Sequence, residues 1–345
     1  MRRLLLGFMV VAVSVFAQTA SAAPADFAGP LFGLDRAPHA SELWVADAGQ
    51  GVVRMSGDKA NLVVSLPGVT DVAVRGPNSV WALTSEVFGS SGSKLYIVHD
   101  GEAHALADLH AFEVEHNPHP AAIDTDPFDV LNRGHGARAV VADAAGNDVI
   151  QVARDGTMKL IAVLPNQVVP TGNAKRLVGC PNPSDPSNQE ICDLPAEIPA
   201  EPVATSVTQA PDGGLYVGEL KGFPAPLHRS RVWHIDPGTR NAHCGTDPRC
   251  QIVFNDFTSI IDLRWFRGML YVEQIDDQSF LAVELEQPTT GSVWACDVTS
   301  HECEKVAGGK PIMTAIAFRR NGSMWGTIKA LIPGQADVIR LRPPQ

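Results

Sequence analysis

Three carboxylates and one hydroxyl occupy equivalent places in successive internal repeats of this 345-residue chain. Aligning the repeats puts Asp71, Asp129, Ser206 and Asp262 at one level, with Ala315 in the last repeat. Calcium prefers several oxygen ligands, and a bound cation can polarise the carbonyl of a lactone or an ester. We therefore expect a ligand-binding site here, with the three aspartates as candidate Ca²⁺ ligands. Because side chains alternate along a strand, a register shifted by one residue would turn them away.

A second set of polar side chains ends the next strand of four repeats: Asp47, Asp143, Glu219 and Gln274. For Asp47 and Asp143 a structural role is favoured, because an Asp in such a turn commonly binds its own turn backbone. Glu219 lies just before a loop that begins Lys221-Gly-Phe-Pro. It is therefore the candidate general base and a further candidate ligand-binding residue.

Five histidines fall between positions 99 and 119, and His116 and His119 have a spacing that occurs in metal sites. Pro118 and Pro120 argue against a helix that would place both rings on one face. A solvated loop is the favoured interpretation. No serine-hydrolase or nucleotide-binding motif accompanies these residues.

The six cysteines form three local couples, each closing a short loop rich in turn-forming residues. Their spacings are wider than those of zinc knuckles, so disulfides are favoured over a metal site. Six cysteines allow 15 connectivities, and local pairing is the preferred one. The expected pairs are Cys180 with Cys192, Cys244 with Cys250, and Cys296 with Cys303.

Short apolar strands separated by turn residues recur in six units along the chain. The clearest copies are Leu43–Asp47 leading to Val52–Met55, and Ala139–Asp143 leading to Val149–Val152. Short Val-, Ile-, Tyr- and Trp-rich runs bounded by Asp-Gly or Asn-Gly are typical of antiparallel strands, and no sustained helical periodicity is present. The repeat predicts an all-β fold, a six-bladed β-propeller of four-stranded antiparallel blades. A β-sandwich is the alternative, but it would not explain the repeat.

The chain begins with Arg2 and Arg3, an apolar run from Leu4 to Ala17, and small residues up to Ala22. This layout is typical of a secretory signal peptide, with an uncleaved anchor as the alternative. We predict a signal peptide over 1–22, a single propeller domain over 23–345, and secretion of the mature protein. The apolar run is shorter than a membrane span of about 20 residues, and no later segment approaches that length without charges.

Loss of the two leader arginines leaves 25 basic and 38 acidic residues, a net charge near −13. A nucleic-acid partner is not expected, because such binding needs a basic surface. The acidic, patch-poor sequence favours a monomer.

Four insertions interrupt the repeat. The longest runs from 166 to 202, between the third and fourth units, and holds the first cysteine couple. The others span Phe112–Thr125, Lys221–Ser230 and Asp276–Thr290. Long loops on a rigid scaffold commonly carry binding sites.

Three parts of the chain resemble the ScyD/ScyE family. They are Asp126–Val130 with Val140–Asn147, Ala204–Val207 with Pro211–Pro224, and Phe257–Leu263. The run Tyr-Val-Gly-Glu-Leu-Lys-Gly-Phe-Pro within the second part is the most specific.

This family comprises propellers related to the NHL-repeat and SMP-30/gluconolactonase group, and it is named for an association with scytonemin biosynthesis. The resemblance extends from about Asp126 to Val272 and implies the propeller fold without a settled reaction. The chain departs from the family pattern in its compressed first two units and in the turn Asn321-Gly322 of its last unit.

Two functional hypotheses follow. The favoured one is a secreted binding or scaffold protein that presents its channel mouth and long loops to a small molecule or a partner protein. The alternative is a Ca²⁺-dependent lactonase-like hydrolase, with the inner carboxylates holding the ion and one of them or Glu219 acting as general base.

Overall fold

Short strands joined by tight turns form six small sheets that surround a central channel in the computed structural model of this protein. The structure describes residues 27–36, 42–57, 59–120, 122–288 and 290–342. The predicted signal peptide, 1–22, lies outside the described residues. The six-bladed all-β propeller predicted from the repeats is confirmed.

In the first three blades, consecutive strands pair antiparallel from the channel outward. The first blade contains β1 (Leu31–Arg36), β2 (Leu43–Asp47), β3 (Gly51–Ser56) and β4 (Lys59–Ser65). The second contains β5 (Val69–Gly76), β6 (Ser79–Thr84), β7 (Lys94–His99) and β8 (Glu102–Asp108). The third contains β9 (Pro127–Arg133), β10 (Arg138–Asp143), β11 (Asp148–Ala153) and β12 (Met158–Val163).

The long insertion forms a separate hairpin of β13 (Gln167–Pro170) and β14 (Glu197–Ala200). The fourth blade contains β15 (Ala204–Gln209), β16 (Leu215–Glu219), β17 (Ser230–Ile235) and, beyond the short β18 (Ala242–His243), β19 (Cys250–Phe257). The fifth contains β20 (Ile260–Phe266), β21 (Met269–Gln274), β22 (Gly291–Cys296) and β23 (Cys303–Lys310). The sixth contains β24 (Ile316–Phe318), β25 (Met324–Ile328) and β26 (Asp337–Arg340).

Two blades differ from the predicted four antiparallel strands. The third gains β18, which reaches over from the fourth blade and pairs parallel to β12. The sixth has three strands within the described residues, and β26 is its third. All three predicted disulfides are present; the Cys244–Cys250 bond closes the loop that carries β18 across to its neighbour.

The all-β fold includes a few short helices that the sequence analysis did not identify. Four short helices are described: α1 (Leu109–His116), α2 (Gly172–Val178), α3 (Gln189–Cys192) and α4 (Phe280–Glu284). Each has at most eight residues, too few for a periodic pattern, and such helices depend on tertiary packing for their stability. None of the described helices is long and apolar enough to cross a membrane.

The innermost strands carry a β-bulge near the start in each of the first five blades. The bulge brings Gly33, Asp71, Asp129, Ser206 and Asp262 to equivalent positions, which we call the inner ring. In the first blade the position is glycine because its neighbour fills the space. A Cβ on Gly33 would lie 2.7 Å from the Cα of Asp71.

We predict that Gly33→Ala destabilises the protein by about 2 kcal/mol or more, because overpacking forces the first two blades apart. The measurement is the free energy of urea unfolding. Gly76→Ala in the adjacent innermost strand is the matched control, since nothing lies within 4 Å of its added Cβ. Equal losses in the two variants would contradict this account of Gly33.

Candidate functional site

All four insertions lie at one end of the propeller, which we call the loop face. Innermost strands begin there and second strands end there, because the two run antiparallel. Phe112–Thr125 and the 166–202 insertion precede innermost strands, whereas Lys221–Ser230 and Asp276–Thr290 follow second strands. Among the described residues, the other end carries the connections that leave the innermost strands and those between third and fourth strands, including the segment that holds β18; we call it the hairpin face.

Three of the insertions are bonded to one another across the channel. The Asn173 amide, in α2, donates to the carbonyl of Ala225 (2.8 Å) and to the hydroxyl of Ser279 (3.0 Å). The Gln287 amide donates to the carbonyl of Leu177 at 2.9 Å. The insertions therefore form one continuous cover over the channel.

Beneath this cover, the residues that precede the five inner-ring positions, and the residue before Ala315 in the sixth blade, alternate between a large apolar side chain and a threonine. In blade order these mouth residues are Phe32, Thr70, Phe128, Thr205, Ile261 and Thr314. Each threonine hydroxyl donates to a backbone carbonyl of the next blade: Pro127, Ile260 and Leu31, respectively. The threonines thus join neighbouring blades, while the apolar residues fill the mouth.

The apolar mouth residues pack against the loop face. Phe88 lies 4.4 Å from Phe32 between ring centroids, and Phe280 of α4 belongs to the same apolar cluster. Together they surround an apolar cavity of about 20 Å³, room for about one water molecule. Glu284 is the one charged residue in its lining.

The inner-ring carboxylates lie below the mouth and bind the next blade. Asp71 accepts a hydrogen bond from the backbone N–H of Val130 at 2.9 Å. Asp129 and Asp262 accept equivalent bonds from the next innermost strands, at 2.5 and 2.8 Å. Ser206, also predicted as a ligand-binding residue, lies buried with no hydrogen-bond partner for its hydroxyl within the described residues.

The Arg264 guanidinium, from the fifth blade, extends into this ring. It lies 3.1 Å from Asp262 and 3.8 Å from Asp129. It also donates to the carbonyls of Ile316 and Leu34, each at 3.1 Å, on the next two blades. Arg264 therefore joins four of the six blades through one side chain.

Burial governs the protonation of the ring. Burial and the charge of Asp129 raise the pKa of Asp71 well above its ordinary range. Burial, opposed by Arg264, raises the pKa of Asp262 to about 7. Burial also raises the pKa of Glu273, which is opposite Asp262 on β21, well above its ordinary range. The charged members are balanced by Arg264, whose own pKa they raise against the effect of burial.

The inner ring does not fit a calcium ion as arranged here. The structure does bring Asp71, Asp129 and Asp262 together, but one oxygen of each already accepts a backbone N–H. A guanidinium lies beside two of them, where a second cation would be repelled. Among the described residues, no group of three His, Cys, Asp or Glu is arranged to hold a metal.

Glu219 lies outside the ring, fully buried at the end of β16. Its carboxylate is 2.8 Å from the Lys221 amine and 2.5 Å from Arg231 Nε, and the Trp233 indole donates to it at 3.3 Å. Burial lowers the pKa of Lys221 to about 8 despite this carboxylate. Glu219 is therefore engaged by two cations rather than open to a substrate.

Its counterparts in the second set bind the segment that leads into their own innermost strand. Asp47 accepts from the N–H groups of Ala28 and Gly49, and Asp143 from those of Asp126 and Gly146. Gln274 accepts from the N–H of Thr258. These three side chains therefore have a structural role: they hold the backbone of the turns and of the segments that lead into the innermost strands.

The histidines do not converge on one site. His116 is the last residue of α1, and His119 lies beyond it, buried, with its ring 3.1 Å from the Asn166 amide oxygen. Trp44, Trp81 and Trp233 lie in the blade cores, where they are almost completely buried.

Sequence comparison of repeats missed Arg264, Glu273 and Lys221. The position of Arg264 is occupied by Asp35 in the first blade, by Ala73 in the second and by Thr208 in the fourth, so the alignment offers no repeated signal. The available sign for Arg264 and Glu273 is a charge inside a mainly apolar strand.

No protein-family model matches this sequence, and no curated protein matches it. Solved structures share its fold. A gluconolactonase from Xanthomonas campestris has a TM-score of 0.54 at 13% identity, with 93% of this chain and 88% of that chain covered. The soluble aldose sugar dehydrogenase of Escherichia coli has 0.54 at 9%, covering 93% and 99%. A carbohydrate-active enzyme of family AA12 from Trichoderma reesei has 0.55 at 10%, covering 93% and 95%. At these identities the likeness shows the fold alone.

We predict that Arg264→Met lowers the free energy of unfolding by about 2 to 4 kcal/mol, because it leaves buried carboxylates without their cation. About a fifth of the side chain is accessible to solvent, which reduces the loss relative to a fully buried pair. Urea unfolding measures it. Exposed Arg267→Met, in the turn after the same strand, is the control and should change little. An Arg264 variant as stable as its control would show that the ring does not need the cation.

We also predict that stability falls as pH rises from 5 to 8. Folded Asp262 binds its proton more tightly than the unfolded chain does, so the folded state holds more protons from about pH 4 to 7. Its contribution to the fall is of order 2 kcal/mol. Asp262→Asn should flatten the dependence in urea unfolding at both pH values.

Asp155→Asn is the control for this pH dependence, because Asp155 is exposed and backbone N–H donation from Thr157 lowers its pKa, in the direction opposite to Asp262. An unchanged slope in Asp262→Asn would contradict the assignment.

Proposed function

We propose that this protein is a secreted, monomeric binding propeller that takes a small apolar molecule at the channel mouth, beneath the cover of the loop face. The observation that carries the proposal is the mouth itself. Its apolar residues face a cavity roofed by insertions, whereas the polar groups below are already bonded to neighbouring blades. Concave, mostly apolar sites with few polar groups are typical of small-molecule binding.

The cover has to move for a ligand to enter, because the present cavity is smaller than any organic ligand. The short α4, and the single turn Glu86–Phe88, are the elements that close over Phe32. Three disulfides are in keeping with an oxidising compartment and support the proposal of secretion. The segment Pro211–Pro224 supports assignment to the ScyD/ScyE group, which we include in the proposal.

A thermal-shift screen of small apolar and amphipathic molecules, followed by calorimetry of any ligand found, tests this function. We predict that Phe88→Ala changes the affinity for that ligand about tenfold, because it removes one wall of the cavity. Val114→Ala on α1, exposed on the same face, is the matched control and should leave the affinity unchanged. Equal affinity in the wild type and in Phe88→Ala would place the ligand elsewhere and overturn the proposal.

The same preparations separate binding from the lactonase alternative. Calcium titration and a lactone hydrolysis assay are run with and without chelator. Turnover that chelator and Asp262→Asn both abolish would replace the binding function with hydrolysis. Tight binding of a ligand without turnover, insensitive to chelator, is the expected result.

A further inference from the structure

A groove of about 700 Å³ opens on the hairpin face between the second and third blades. Its lining carries two arginines and three histidines: Arg75, Arg154, His99, His104 and His135. We call it the basic groove. It lies at the opposite end of the propeller from the channel mouth, so it is independent of the function proposed above.

Arg75 is held rigidly in the wall of this groove. Its guanidinium lies over the Trp81 ring, 4.1 Å from the centroid. It donates to the carbonyl of Gly136 at 3.0 Å and to the Ser79 hydroxyl at 3.2 Å. Gly136 has a φ of +84°, and a Cβ there would come within 3.3 Å of the guanidinium. The arginine is therefore ordered before any ligand arrives, which reduces the entropy lost on binding.

Arg154 lines the same groove as Arg75 and adds a second positive charge to it. It is exposed, and it makes no hydrogen bond or ion pair within the part of the chain that the structure describes. Burial and, to a lesser extent, the charge of Arg154 lower the pKa of Arg75. Two guanidinium groups that line one groove favour an anionic ligand.

The acidic residues of the groove already have partners of their own. Asp100 lies 3.2 Å from the His99 ring, and Glu102 lies 3.4 Å from the His104 ring. The first pair is at the turn between β7 and β8, and the second is at the start of β8. His135, on the turn between β9 and β10, has no such carboxylate neighbour within the described residues.

We propose that the basic groove binds a small molecule carrying a tetrahedral oxyanion, a phosphate or sulfate ester, with the anion between Arg75 and Arg154. Guanidinium groups suit this ligand because their planar forks donate two parallel hydrogen bonds to such oxygens. The volume accommodates a ligand of small-molecule size. His135 provides a further donor at the edge of the groove.

The experiment is calorimetric titration of the full mature protein with sulfate, inorganic phosphate, phenyl sulfate and phenyl phosphate at low ionic strength. Arg154→Gln should weaken binding of the preferred anion about tenfold or more. Arg340→Gln, an exposed arginine at the hairpin-face end of β26, is the matched control and should leave affinity within about twofold. Because Arg154 is exposed and makes no hydrogen bond or ion pair within the described residues, its substitution is not expected to disturb folding.

The pH dependence gives a second readout. The charged and titratable groups around the groove are Arg75, Arg154, the three histidines, Asp100 and Glu102. Sulfate keeps its charge between pH 6 and 8, whereas histidine side chains gain charge as pH falls. Sulfate should therefore bind more tightly at pH 6 than at pH 8, and His135→Ala should reduce the difference.

The phenyl esters separate the two sources of the anion, and preference for either one supports the proposal. Affinity equal in the wild type and in Arg154→Gln would overturn it, as would equal losses in Arg154→Gln and Arg340→Gln, which indicate nonspecific charge attraction. Absence of binding by all four anions at pH 6 would also overturn it.

Discussion

The centre of this propeller depends on the ion pairs and hydrogen bonds that the Arg264 guanidinium makes. Asp71, Asp129 and Asp262 each accept a backbone N–H from the next blade, and these carboxylates gather in a narrow, poorly solvated channel. Several like charges at such distances would repel one another strongly in a medium of low dielectric constant. Arg264 lies beside Asp262 and Asp129, and burial raises the pKa of Asp71 and of Glu273 well above the ordinary range. The same side chains therefore join the blades and balance the charges in the channel.

The use of these polar groups to join blades also determines where ligands can bind. Polar atoms used to join blades are not free to hold a cation or to activate water, so the channel interior contributes rigidity. The two ends of the propeller are left for recognition, and they differ in chemistry. The loop face is apolar beneath a cover of bonded insertions, whereas the hairpin face between the second and third blades is open and carries unpaired guanidinium charge.

Several features could be predicted because they arise from local pattern. The six repeats, the antiparallel strands and the three disulfides follow from alternation, turn dipeptides and short loops between cysteines. The inner-ring level of Asp71, Asp129, Ser206 and Asp262 was also recognisable, because the repeats align there. The helices α1 to α4 were not, since elements of four to eight residues owe their stability to the surfaces on which they dock.

The sequence by itself determined the architecture and the identity of the residues that meet around the channel. Only the tertiary structure decided what those residues do. The position of Arg264 is occupied by Thr208 in the fourth blade and by Ala73 in the second, so comparison of the repeats does not predict an arginine there. Its reach across the channel to Leu34, 230 positions away in the chain, exists only once the ring of blades has closed. A carboxylate that could bind calcium in isolation instead accepts a hydrogen bond from the next blade, because a backbone N–H and an internal cation occupy its oxygens. Those groups come close to the carboxylate only in the folded structure.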